Sequence, residues 1–410
     1  MALLVSAKGS DVLAWRAAGD FAATFRHSLL ARLEFCSSSD GEQLLVRAGE
    51  ALDVMAAGNR AFAERGDVLL EELAAGCDNR RLRELSGEFY SNLYEHVALF
   101  RSVAAFYEFS SRFLEVAARS IMQRSAAALA ASVGPLPQLK LFALGPAGRQ
   151  EFSPFCPLQL LLVYGDEAIR DDVQQRLGEM IHEGFAACGF RVDDVITPRN
   201  PDWRGSLPVW GRRLVNLLEE GDAEHLIDFF RLSDMTSLYC DEGFKPDFRG
   251  YFSAFLRKHP AALAFQVSRI MSLSHGIGIM GGMRFERKGA YRGMFALLEN
   301  GLQPLSAAVS VLALLKELES SATQQRIIEV LWKRQLNVDM AERILLAWHT
   351  LNEFRLLREV GTHPFWSNLA PLHLDVDNLS DDEQASLRES LESVGVIQRH
   401  VGLTYSSMEG

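Results

Sequence analysis

A short apolar run, Leu139 to Leu144, leads into Gly145-Pro146-Ala147-Gly148-Arg149-Gln150-Glu151-Phe152-Ser153-Pro154, and a second run follows from Leu158 to Tyr164. A glycine-bearing turn whose backbone N–H groups face outward can cradle a phosphate. The plainer reading of the same glycines is a tight connection between two strands. Chemistry elsewhere is sparse. Five cysteines (Cys36, Cys77, Cys156, Cys188, Cys240) lie far apart without a C-x-x-C, and the ten histidines form no H-x-x-x-H pair, so neither a zinc site nor a disulfide framework is indicated. Gly276 to Gly281 spells G-x-G-x-x-G, but Leu263 to Ser274 before it has a helical period, whereas a dinucleotide fingerprint follows a strand. The basic cluster Arg284, Arg287, Lys288 and Arg292 reads as a solvated loop, with a site for an anion or acidic partner as the alternative.

These residues must be positioned by the surrounding elements. Residues 1 to about 133 read as helical: Phe89, Leu93, Val97, Phe100, Ala104 and Tyr107 recur at spacings of three and four. Gly134, Pro135 and Pro137 end that pattern. Leu139–Leu144 and Leu158–Tyr164 then suit buried strands, Val173 to Phe185 a helix, and Phe190 to Ile196 a third strand. From Trp210 onward nearly everything is helix-period, with Ser380 an expected N-cap before Asp381, Asp382 and Glu383. The expected fold class is α+β, mostly α. It divides into an N-terminal helical domain (1–133), a small α/β core (134–245) and a C-terminal helical domain (246–410).

Forty-two Lys and Arg against 53 Asp and Glu leave the 410-residue chain at −11. A net acidic chain with no long basic block is a poor candidate for neutralising nucleic-acid phosphates. The apolar stretch Ala2–Val5 is too short for a signal-peptide core, and runs such as Ala126–Ala131 fall far below the roughly 20 residues that span a bilayer. The expectation is a cytoplasmic protein with no nucleic-acid or membrane partner.

The turn also resembles the nucleotidyltransferase signature of the polymerase-β-like superfamily. It is most similar to that of the protein-PII uridylyltransferase and related signal-transduction nucleotidyltransferases of bacterial type. There a loop G-(G/S)-x-G-R-x-E-x-S-P-x-S-D-x-D opens onto a strand of Leu, Ile and Val. Gly145, Gly148, Arg149, Glu151, Ser153 and Pro154 match it. Asn200-Pro201-Asp202-Trp203-Arg204-Gly205-Ser206-Leu207 with Trp210 resembles the family's N-P-x-W-x-x-S-L…W segment, and Thr323 to Arg326 its T-x-x-R helix start. The resemblance implies a polymerase-β-like α/β core between two helical domains. It implies nucleotide binding by Gly145, Gly148, Arg149 and Ser153. The sensor modules of those relatives are not recognisable here.

The departures fall on the chemistry. The two metal-binding aspartates would stand at positions 157 and 159, where this chain has Pro157 and Gln159. Nucleotidyl transfer in the superfamily uses two Mg²⁺ held by carboxylates, and Mg²⁺ prefers carboxylate oxygens. Pro146 costs the phosphate loop an N–H donor. Leu298 stands where a Lys would precede Gly301, Leu302 and Pro304. The carboxylates available as substitutes are Glu151, Asp166, Asp193 and Asp194. Of the last two, at most one faces the cleft if both lie on a strand. The expected function is a nucleotidyltransferase-like signalling or regulatory protein that is catalytically inactive, with no cofactor assigned, and that retains nucleotide or partner binding. The alternative is an active uridylyl- or adenylyltransferase using Mg²⁺ and a nucleoside triphosphate on a protein or small molecule. Candidate partners are a nucleotide, a protein or sensor-domain protein, and a second copy of the chain.

Overall fold

The computed structural model describes residues 41–165, 170–219, 222–244, 248–278, 281–360 and 372–409. Asp166 and the first 40 residues, both part of the sequence expectations, lie outside the described residues.

Among the described residues three long helices come first: α1 (Gly41–Ala75), α2 (Asn79–Phe100) and α3 (Val103–Val133). Asp78 starts α2 by accepting from the Arg81 N–H at 2.8 Å, which satisfies one of the open N–H groups of a helix start. The apolar stripe of the sequence is the buried one. Phe89, Leu93 and Val97 of α2 meet Phe106, Phe113 and Ile121 of α3 in the core.

The sheet has four strands in the order β3-β2-β1-β4. β1 (Leu139–Leu144) pairs antiparallel with β2 (Gln159–Tyr164), and β3 (Arg204–Ser206) runs parallel to β2. β4 (Thr236–Cys240) pairs antiparallel with the other side of β1, with a register shift between Leu141 and Phe142. The expected third strand at 190–196 is corrected to a single bridge between Val192 and Leu158. Asp193 is the physical reason. Its Oδ1 accepts the N–H groups of Val195 and Ile196, both at 2.9 Å, and an Asx turn of this kind competes with a ladder. β4 lies in the stretch whose period reads as helix; with only Leu238 buried in five residues, it carries little strand pattern.

Strand alternation gives the sheet two buried faces. Leu141, Leu160, Leu162 and Leu238 share a core with α3 and α4 (Asp171–Ala187). Phe142, Leu144, Leu161 and Val163 face Trp210, Leu214, Phe229 and Phe252 of α5 (Leu207–Glu219), α6 (Ala223–Arg231) and α7 (Phe248–Lys258). Next come α8 (Pro260–Ser272), the short pair β5 (Phe295–Ala296) and β6 (His373–Leu374), and the helices α9 (Gln303–Leu315), α10 (Thr323–Trp332), α11 (Val338–Glu359) and α12 (Asp381–Glu409). Ser380 and Glu383 cap α12 reciprocally, with N–H to side-chain oxygen distances of 3.0 and 3.3 Å. The first core runs without a break from Phe62 through the sheet to Val401.

Of the described residues 69% are helical, which with the mixed sheet makes the fold α+β and mostly α. One segment among the described residues, Leu298–Leu315, is long and apolar enough to cross a membrane. Two-thirds of it is buried inside the protein, as expected of a core helix.

Candidate active site

β1 delivers the chain into the glycine turn. Gly145 has φ +57°, the left-handed region, and a Cβ there would lie 2.6 Å from Gln159 Oε1. Gly148 closes a single helical turn and lies so near the strand-entry turn before β4 that a Cβ would stand 2.1 Å from the Asp234 carbonyl oxygen. Gln150, at φ +58°, folds the chain back so that the Glu151 N–H donates to the Pro146 carbonyl at 2.7 Å.

The polar side chains of the turn point into the protein. Arg149 donates from Nε to Glu151 Oε2 at 3.0 Å and from Nη1 to Asp234 Oδ2 at 2.9 Å. The other Asp234 oxygen accepts from Arg326 Nη1 at 2.6 Å and from the Ser310 hydroxyl at 2.8 Å. Burial alone would raise the Asp234 carboxyl, but Arg326 and Arg149 outweigh it and hold it below the usual carboxylate range. For Arg149 burial works against the charge, and Glu151 and Asp234 overcome it. Glu151 Oε1 accepts from the Trp348 indole N–H at 2.7 Å.

A second buried cluster continues from Ser153. Its hydroxyl donates to Glu359 Oε1 at 3.0 Å and accepts from Arg355 Nη2 at 2.8 Å. Arg355 also reaches Glu359 Oε1 at 3.1 Å and contacts the Cys156 sulfur, and the Tyr94 hydroxyl donates to Glu359 Oε2 at 2.9 Å. The turn is therefore fixed to α2, α10 and α11 at once. A buried charge needs such partners, because stranding one costs several kcal/mol.

Two segments, residues 89–224 and 260–405, match family models described as "Putative nucleotidyltransferase DUF294" and "Putative nucleotidyltransferase substrate binding domain". The chain belongs to the nucleotidyltransferase-like DUF294 family. No curated protein matches it. In this DUF294 protein the first match holds the glycine turn, β1 to β3 and Asp193. The second holds Arg326, Trp348, Arg355 and Glu359, so the buried clusters join the two matched regions.

Of the residues expected to act on nucleotide or metal, the structure brings Gly145, Gln159 and Asp193 together. Gln159 leaves the start of β2 beside the Gly145 turn, and its Nε2 donates to Asp193 Oδ2 at 3.2 Å. Burial pushes the Asp193 carboxyl up, but the Ile196 and Val195 N–H groups, Gln159 and the nearby Arg231 together hold it below its ordinary value. Asp194 points away: its side chain is 91% exposed and pairs with Arg199 at 3.6 Å. Ser153 is fully buried, and the Arg149 guanidinium sits between two carboxylates. Asp234, Trp348, Arg355 and Glu359 carry no signal in the sequence that would assign them to the site. Only the T-x-x-R start of α10 points to a further member, Arg326.

The donor set does not fit a two-metal centre. Pro157 offers no ligating side chain, and Gln159 turns an amide N–H toward Asp193. Both Glu151 oxygens already accept hydrogen bonds from Trp348 and Arg149. Among the described residues, no group of three or more His, Cys, Asp and Glu is arranged to hold a metal ion.

Proposed function

We propose that this chain is a nucleotidyltransferase-fold protein that no longer transfers nucleotides and acts by binding, as a regulatory or scaffold component of the protein-PII uridylyltransferase-like group. The observation that carries the reading is the Gln159–Asp193 hydrogen bond. Where an active relative would clamp Mg²⁺ between carboxylates, this chain joins a neutral amide to one carboxylate at 3.2 Å. Two negative charges are missing from the position, and Pro146 removes a donor from the phosphate turn. Glu151 cannot stand in, because its oxygens serve the fold.

One observation favours the alternative, an active Mg²⁺-dependent uridylyl- or adenylyltransferase. Gln159 Oε1, beside Asp193, is buried without a hydrogen-bond partner among the described residues and is an acceptor that a cation could use. Calorimetric titration with ATP, UTP, CTP and GTP, each with and without Mg²⁺, separates the two. The expected outcome is no Mg²⁺-dependent binding. Metal-independent binding would make the protein a nucleotide sensor, and no binding at all a scaffold. Tight binding that requires Mg²⁺ would overturn the reading.

A further inference from the structure

The N-P-x-W-x-x-S-L…W-like segment takes no part in the glycine turn; it builds a different place. β2 and β3 are parallel, with Tyr164 opposite Ser206 at their carboxyl ends. Just beyond lies a cavity of ≈ 620 Å³ whose lining includes Tyr164, Arg204, Arg213 and Gln175 together with two carboxylates, Asp171 and Asp172, the latter paired with Arg170. Crevices outside the carboxyl ends of parallel strands are a recurrent place for ligands, and this volume suits a metabolite-sized one. Gln159 stands at the opposite end of β2, about 17 Å away at the usual rise per residue.

The charges around this cavity are unusual. Arg204 is 6% exposed and donates only to neutral oxygens: the Pro198 and Arg199 carbonyls at 2.9 and 2.7 Å and Gln175 Oε1 at 2.9 Å. Its buried Nε has no hydrogen-bond partner among the described residues. Arg213 likewise donates to the carbonyls of Arg204 at 2.6 Å and Pro201 at 2.7 Å, and lies over the Trp210 ring. Neither guanidinium has a carboxylate within ion-pair distance among the described residues, whereas Arg149, Arg326 and Arg355 each have one. Gly205 makes room for this arrangement, since a Cβ there would come within 3.1 Å of Arg213 Nη1. The Tyr164 hydroxyl lines the same cavity and makes no hydrogen bond among the described residues.

Buried cations are ordinarily matched by anions in direct contact, whereas here a buried arginine and its half-buried neighbour bond only to neutral oxygens among the described residues. Burial lowers the proton affinity of both, and the more distant carboxylates, Asp171, Glu179 and Asp202 for Arg204 and Asp202 for Arg213, only partly offset it. Arg213 keeps donors free, because five N–H groups serve only two carbonyls.

We propose that this cavity binds the oxyanion of a small molecule, a carboxylate or phosphate group received by Arg213 and the Tyr164 hydroxyl. The site is separate from the nucleotide cleft, so its occupancy does not depend on what positions 157 and 159 hold.

The test is calorimetry on the full chain with inorganic phosphate, succinate and, as a control, chloride at equal ionic strength. Saturable one-to-one binding of phosphate marks a phosphate-bearing ligand, and of succinate a carboxylate. Arg213→Gln is expected to weaken that binding about tenfold or more, consistent with loss of a charge-assisted hydrogen bond. Tyr164→Phe, which keeps the ring in the core, should weaken it severalfold and decides the matter if Arg213→Gln fails to fold. No saturable binding of phosphate or succinate, or affinity unchanged in Tyr164→Phe, would overturn the proposal.

Discussion

The indole N–H of Trp348 donates to Glu151 Oε1 at 2.7 Å, joining residues 197 positions apart in the chain. A carboxylate that stands inside the glycine turn is thereby an anchor for a helix of the C-terminal region. The same holds for Arg149 with Asp234 and for Ser153 with Glu359, each of which ties the turn to a distant part of the chain.

Removing Glu151 should accordingly be a matter of stability. Glu151→Ala strips Arg149 of one of its two carboxylates in a buried setting and should cost about 3–5 kcal/mol. Trp348→Phe, which removes the N–H and also shrinks a buried indole to a single ring, should cost about 2–4 kcal/mol. Urea denaturation measures both. A Glu151→Ala variant as stable as the parent would show that the cluster contributes nothing to folding.

The two glycines of the turn should respond differently to alanine. At Gly148 the new Cβ meets the backbone carbonyl of Asp234, which cannot rotate away, so a penalty of at least about 1–3 kcal/mol is expected. At Gly145 the obstacle is the end of the Gln159 side chain, which can move. The residual cost there, about 1 kcal/mol, comes from the positive φ. Melting temperatures of the two variants should rank in that order.

His96 makes stability depend on pH. Its ring stacks on Phe62, Nε2 lies 2.7 Å from Asn59 Oδ1, and burial lowers its pKa to about 4. The unfolded chain, with an ordinary histidine near 6.5, binds the proton more tightly than the folded one. By linkage the contribution is full above about pH 6.5 and drains away as pH falls toward 4. His96→Gln should flatten the stability profile in that window; an unchanged slope would assign the titration elsewhere.

Placing carboxylates at positions 157 and 159 tests the proposed reading of the site from the opposite direction. Pro157→Asp combined with Gln159→Asp places two carboxylates beside Asp193 and should create measurable Mn²⁺ or Mg²⁺ binding that the parent lacks. If parent and double variant bind metal equally well, positions 157 and 159 are not what determines metal binding.

Local patterns were legible in the sequence. The run Leu139–Leu144 is a strand with those bounds, and Ser380 caps α12 as its neighbours implied. Asp193 and Asp194 do diverge, one turned toward Gln159 and one into solvent. The partnerships that define the site were not legible. Asp234 and Arg326 lie 92 residues apart, and nothing in either neighbourhood encodes their meeting. The expected strand at 190–196 is missing for a related reason. Periodicity registers apolar alternation, whereas the outcome turned on one aspartate side chain capturing two backbone N–H groups. β4 was hidden because an edge strand with one buried residue has little pattern to display.

The charges shared between the glycine turn and α10 and α11 also constrain how such a protein can change over time. A segment ending near residue 245 would keep Arg149, Glu151 and Asp234 but lose Arg326, Trp348 and Ser310, leaving carboxylates matched to partners that are gone. The two regions therefore depend on each other for the neutrality of their shared interior.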